Sequence, residues 1–278
     1  MCRDPIIPNS NITTVLCGNN FDLGPLTDTV TLRDIVHWYV GGTGIHIGQG
    51  SETRIMDGRI IGPALRNDSS IGIYIGDNNG GIYITDTNVV GFSTGILFDN
   101  AYPNGSHRQI FITQTRIDSN GIGLHIKDSS HVLVSNCFIA SSDKHQILLD
   151  HSATGAHLQV TGGTIFNGGV LGGDCSEIGQ ECNGITVLEG QFGITGVLIW
   201  ANRRIGIWVP HNNGFGYTVT SNRFVCNHQA VNLTGRAYIA TNSLILGSGR
   251  PDWGYWEGSS QMQQALMNNN VHFIRYHC

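Results

Sequence analysis

The sequence predicts an all-β fold: a single-stranded parallel β-helix of about eight coils, closed by N- and C-terminal caps. Three observations predict it. First, an apolar–variable–apolar triplet recurs at Ile45-His46-Ile47, Ile73-Tyr74-Ile75, Ile96-Leu97-Phe98, Leu124-His125-Ile126, Ile147-Leu148-Leu149, Ile185-Thr186-Val187, Ile207-Trp208-Val209 and Val231-Asn232-Leu233. Its first residues lie 28, 23, 28, 23, 38, 22 and 24 positions apart, the repeat length of a solenoid. Second, two further short apolar segments complete most periods. One ends in a hydroxyl residue, as in Ile82-Tyr83-Ile84-Thr85 and Ile110-Phe111-Ile112-Thr113; the other is typified by Cys137-Phe138-Ile139 and Val197-Leu198-Ile199. Third, Gly and Asn separate the segments, and 38 glycines suit corners that need positive φ.

Side chains alternate across a strand. The outer pair of each triplet therefore points into a core, and the middle residue is displayed. Leucine-rich repeats share the period but need a fixed Asn and a Leu-dominated frame, whereas Ile and Val prevail here. Ankyrin and tetratricopeptide repeats need a helical periodicity that is absent.

In chain order, residues 1–43 do not keep the repeat. Pro5, Pro8 and Pro25 interrupt it, and Val30-Thr31-Leu32 with Ile35 to Val40 makes an apolar patch. A solenoid end exposes unpaired strands, so this stretch reads as a cap, or as an anchor onto a larger body. Residues 44–247 are the β-helix. Their largest insertion, 167–183, carries Asp174, Glu177 and Glu181, which read either as a cation site or as a solvated, subunit-contacting loop. Residues 248–278 form a second cap. It contains Trp253 and Trp256, a weakly helical stretch from Ser260 to Asn268, and a last strand around Val271 to Tyr276.

Composition narrows the partners. A formal charge of −5, with charged residues at 13 %, lacks the basic stripe that nucleic acid requires. No segment approaches membrane-spanning length. Met1 to Pro5 lacks the cationic start and apolar run of a secretory peptide, which points to synthesis in a cytoplasm. Seven scattered cysteines form no Cys-x-x-Cys pair, so no zinc or other metal is expected. No cofactor is expected either. Cys175 and Cys182 sit in one loop, within reach of a bridge.

Function then falls to the displayed columns. Neighbouring coils stack about 4.8 Å apart, so equivalent positions form ladders. Just after the first strand, one ladder reads Gly76, Asp99, Lys127, Asp150, Leu188, and the next includes Asp128, His151, Glu189, His211. Carboxylates interleaved with His suit glycoside cleavage, with one acid and one base or nucleophile. Asp99 and Asp150, two coils or about 9.6 Å apart, approach the spacing of an inverting pair, and Asp128 and Glu189 are further candidates. The same residue types also cap backbone amides in turns. Tyr74, His125, His151 and Trp208 stand where they could contact sugar rings. On the second strand Tyr83, Phe111 and Leu133 form an outward apolar row. Such a row is unusual on a monomer and reads as an interface between copies.

The repeated Gly-Ile-x-Ile and Ile-x-Ile-Thr coils, with their Asn-rich corners, resemble the pectate-lyase-like right-handed β-helices of bacteriophage tailspikes and related virion proteins. The likeness spans residues 44 to about 247. It implies a right-handed coil, a homotrimer, a place on the virion surface beside other virion proteins, and binding of bacterial surface polysaccharide, with or without cleavage. Any cleavage would be that of a depolymerase, a glycoside hydrolase before a lyase. Two alternatives stand beside it: a non-catalytic capsid decoration or cement protein, and a free polysaccharide hydrolase or lyase.

Overall fold

The computed structural model describes residues 13–16, 21–23, 27–39, 42–48, 50–64, 69–76, 80–99, 109–170, 174–176, 181–211, 216–240, 242–246 and 272–275. Among them every regular element is a β-strand. The strands stack into three long sheets, of nine, nine and eleven strands, paired in parallel from coil to coil. This is a parallel β-solenoid. Coils with a strand in every sheet run from Phe21–Leu23, Thr31–Arg33 and Val36–Tyr39 to Gln229–Leu233, Arg236–Ala240 and Ser243–Leu246, close to the eight expected.

The recurrent triplets form the first sheet. Ile45, Ile73, Ile96 and Leu124 stand in one register column, and each is 0 % exposed. The second sheet supplies Ile55, Ile84, Ile112 and Val134, and the third Ile60, Val89, Ile117 and Ile139, all in one core. At about 25 cal/mol per Å² of apolar surface buried, this continuous stack is the main stabilising term. The hydroxyl column also forms, with Thr85 Oγ1 3.0 Å from Thr113 Oγ1 and Thr195 Oγ1 2.9 Å from Thr220 Oγ1.

Pairing begins before Gly44. Phe21–Leu23 pairs with the first sheet, Thr31–Arg33 with the second and Val36–Tyr39 with the third. Phe21-Asp22-Leu23 is itself an apolar–variable–apolar triplet, but without the preceding Gly. At the other end His272–Arg275 pairs with Ser243–Leu246, as the expected last strand. Pro5, Pro8, Pro25, Trp253, Trp256 and the Ser260 to Asn268 stretch lie outside the described residues.

The glycines do not serve mainly as corners. At the bend between second and third strands, positive φ falls on Asp34, Asp57, Asp86, Gln114, Asn136 and Ser221 as well as on Gly162 and Gly196. By contrast, the glycines of the Gly-Ile-x-Ile motif are absent from the positive-φ positions. A Cβ added at Gly44, Gly72, Gly95, Gly123, Gly184 or Gly206 would lie 2.5 or 2.6 Å from a carbonyl oxygen of the adjoining coil. The motif needs Gly for the closeness of the next backbone, not for its own dihedrals.

Buried amides tie the corners together. Asn222 Oδ1 accepts the Val197 N–H at 3.0 Å, and its Nδ2 donates to the Ile194 carbonyl at 3.2 Å and to Asn242 Oδ1 at 3.1 Å. Asn242 Nδ2 continues the chain to the Val219 carbonyl at 2.8 Å. Truncating Asn222 leaves a buried N–H and a buried carbonyl without these partners. Asn222→Ala is therefore expected to lower unfolding free energy by about 1–3 kcal/mol, read as a lower urea midpoint at unchanged slope.

Candidate functional site

The residue after each first-sheet strand is held by a backbone bond to the coil below. Asp99 N–H donates to the Ile75 carbonyl at 3.1 Å, Lys127 to Phe98 at 2.9 Å and Asp150 to Ile126 at 2.9 Å. These bonds place Asp99, Lys127 and Asp150 on consecutive coils, as the ladder reading expected. Lys127 therefore stands between the two carboxylates.

The side chains pair closely. Lys127 Nζ donates to Asp99 Oδ2 at 2.8 Å, and that bond, against some desolvation, raises the lysine above its ordinary value. His125, two residues back on the same face, brings Nε2 to 3.0 Å from Asp150 Oδ2. Asp150 Oδ1 accepts the backbone N–H of His151 at 2.7 Å. The imidazole bond, followed by the backbone bond, holds the Asp150 carboxyl at about 2 against the cost of its burial. Tyr74 donates its hydroxyl to the Asp99 carbonyl at 2.9 Å, and its ring tilts against His46 at 5.0 Å. Tyr74, Asp99, Lys127, His125 and Asp150 thus form one polar cluster over four coils.

This arrangement bears on chemistry. An inverting glycosidase needs one protonated carboxyl, and room for a water beside the other. Asp150 carries no proton near neutrality, and Asp99 is committed to Lys127, which occupies the coil between them. The cluster offers fixed donors and acceptors instead of a free acid–base pair.

The remaining candidates separate. Asp128 is 7 % exposed and accepts the Ser130 N–H at 3.0 Å and the Ser130 hydroxyl, so it acts as a turn cap. Glu189 is half-buried and belongs to neither pair. His151 is exposed, and its ring stacks on His211 with centroids 6.1 Å apart. Trp208 is 7 % exposed, with the Arg204 guanidinium carbon 5.7 Å from its ring centre. Its ring faces packing, not sugar. Leu97 and Leu148 are likewise covered, so much of this outer sheet face is dry.

The insertion loop accounts for part of the surroundings. Cys175 and Cys182 are bridged, and Cys226 is disulfide-bonded as well. Glu181 Oε1 lies 3.0 Å from Lys144 Nζ, and its Oε2 accepts the Asp174 N–H at 2.9 Å. Asp174 Oδ1 in turn accepts the Ser176 N–H at 3.0 Å, so both carboxylates are engaged within the loop or by Lys144; Glu177 lies outside the described residues. Among the described residues no three His, Cys, Asp or Glu side chains converge on a metal site.

Two features escaped the pattern reading. His145, beside the cluster, is buried against Thr186, whose hydroxyl lies 2.9 Å from its Nδ1. On the third sheet, Phe166 and Trp200 stack outward with centroids 5.5 Å apart, and Phe138 meets Phe166 edge to face at 5.1 Å. A period-two reading of the third segments would have marked Phe166 and Trp200, each next to an inward Ile. On the second sheet Tyr83 and Phe111 stack at 5.0 Å with planes 6° apart, and Leu133 beside them is 41 % exposed.

No protein-family model, curated protein or solved structure matches this chain. The likeness to phage β-helices therefore rests on the coil pattern, and the architecture established is the parallel β-solenoid.

Proposed function

We propose that the protein is a surface spike that binds bacterial surface polysaccharide along the first-sheet face, as part of a trimeric virion protein, and holds the polymer without hydrolysing it. The observation that carries this reading is the pairing of Asp99 with Lys127 and of Asp150 with His125. A rigid sheet presents both pairs as a preset array of donors and acceptors, with each carboxyl already bonded to a neighbouring side chain. The bridged cysteines support a working environment outside a reducing cytosol. The Tyr83, Phe111 and Leu133 row supports association with other copies. Tyr83 and Phe111 each spend one face on the other, and the Arg54 guanidinium carbon lies 5.4 Å from the Tyr83 ring centre, so ring edges and the exposed Leu133 are offered to a partner.

The test is binding of purified host surface polysaccharide by calorimetry, with an assay for new reducing ends run in parallel. Wild type should bind and release none. Lys127→Ala should weaken binding about tenfold or more, the scale of one charged hydrogen bond. Release of reducing ends that Asp99→Asn or Asp150→Asn abolishes would replace this reading with a hydrolase. Phe111→Asp should convert trimers to monomers in light scattering, and a wild-type monomer would remove the trimeric part.

A further inference from the structure

The His125–Asp150 pair says more about what the cluster can recognise. Both oxygens of Asp150 are engaged, one by a backbone N–H and one by His125 Nε2. An ionised carboxylate accepts hydrogen bonds and cannot donate them. The proton in this contact must therefore sit on Nε2, and in the neutral form of the ring Nδ1 is left as a lone-pair acceptor. Lys127 lies two residues further on the same face, about 7 Å along the chain, and its ammonium has three donors, of which one goes to Asp99.

We infer that Asp150 is a positioning residue that holds His125 in the Nε2–H form, so that His125 Nδ1 and Lys127 Nζ meet the ligand as an acceptor–donor pair selective for neutral, hydroxyl-bearing sugars. The inference rests on the glycan-binding reading and deepens it. A sugar hydroxyl donates and accepts at once, so adjacent hydroxyls satisfy both groups. A carboxylate or phosphate has no proton for Nδ1, and it meets Asp99 and Asp150 on either side of Lys127. Anionic polymers are excluded by the same residues that bind neutral ones.

Two measurements test it. Nitrogen-15 NMR of the histidine side chains at pH 7.5 reads the tautomer directly. His125 should show a protonated Nε2 and a bare Nδ1. Asp150→Ala should give a mixed ring in a protein with an unchanged backbone spectrum, and Asp150→Glu should restore the lock. A mixed or Nδ1–H ring in wild type overturns the positioning role. The second measurement is an array of bacterial oligosaccharides, half neutral and half bearing uronate, sialate or phosphate. Binding should be confined to the neutral half and fall at least tenfold in Asp150→Ala. Binding to the acidic half overturns the selectivity while leaving the glycan-binding reading in place. Binding to neither half, with the tautomer locked, overturns that reading and the ligand class with it, and leaves Asp150 as a positioning residue only.

Discussion

Acidification is expected to destabilise the fold as soon as pH falls below about 6.5, because His145 is buried as a neutral ring. Its pKa falls from 6.5 to about 3, first through burial and then through His125, Lys144 and Arg204, with Asp150 opposing. Thr186 faces its Nδ1, and Asn183 Nδ2 donates to that hydroxyl at 3.1 Å, which leaves the hydroxyl proton for the ring. The unfolded chain takes up a proton near 6.5 that the folded chain refuses until about 3. Stability is thus full above the unfolded value, falls steadily as pH drops through this window, and loses its whole contribution below it. At 1.36 kcal/mol per unit the loss is at most on the order of 5 kcal/mol. Asp150 adds a second, lower window: its stabilisation is present above 3.8 and lost as pH falls toward about 2. Urea titrations at pH 7, 5.5 and 4 should show a falling midpoint in wild type and a nearly level one in His145→Gln, which keeps an acceptor for Thr186. Equal falls in both proteins would place the acid sensitivity elsewhere.

A single methyl at a motif glycine is expected to act almost as strongly. In Gly95→Ala the new Cβ would lie 2.6 Å from the Gly123 carbonyl oxygen, 2.8 Å from Asn120 Nδ2 and 3.0 Å from an Ile117 methyl. None of these can swing aside. The oxygen is backbone, and Asn120 is held between the Phe92 N–H at 2.9 Å and the Val89 carbonyl at 3.2 Å. Relief requires parting two coils, and overpacking of this kind costs about 1–3 kcal/mol. Gly216→Ala is the control, since nothing lies within 4 Å of its added Cβ. The expected result is a clearly lower urea midpoint for Gly95→Ala and little change for Gly216→Ala. Similar midpoints would show that the coils can separate locally at little cost, and that the motif needs Gly for another reason.

The early coil at Phe21–Leu23 shows how far pattern reading reaches. Its apolar–variable–apolar triplet was present, but prolines around it and the missing Gly hid a strand that the neighbouring coil nonetheless pairs. The motif glycines show the opposite case. Their recurrence was plain, yet their cause, a carbonyl oxygen of the adjoining coil, belongs to residues more than twenty positions away. The site divides in the same manner. Asp99, Lys127 and Asp150 could be aligned from spacing, because one backbone bond per coil sets that column. That Lys127 claims Asp99 and His125 claims Asp150 depended on side-chain reach between coils.

From its residues alone this chain determines a parallel β-solenoid, because an aliphatic pair once per turn can be buried only by stacking the turns. Tertiary structure alone decided which displayed side chains stay open. Trp208 and Leu148 occupy the same outward column as Tyr74 and His125, but they are covered where those two keep part of their surface open. The register puts a side chain on a face; what folds over that face settles whether water or a ligand can reach it.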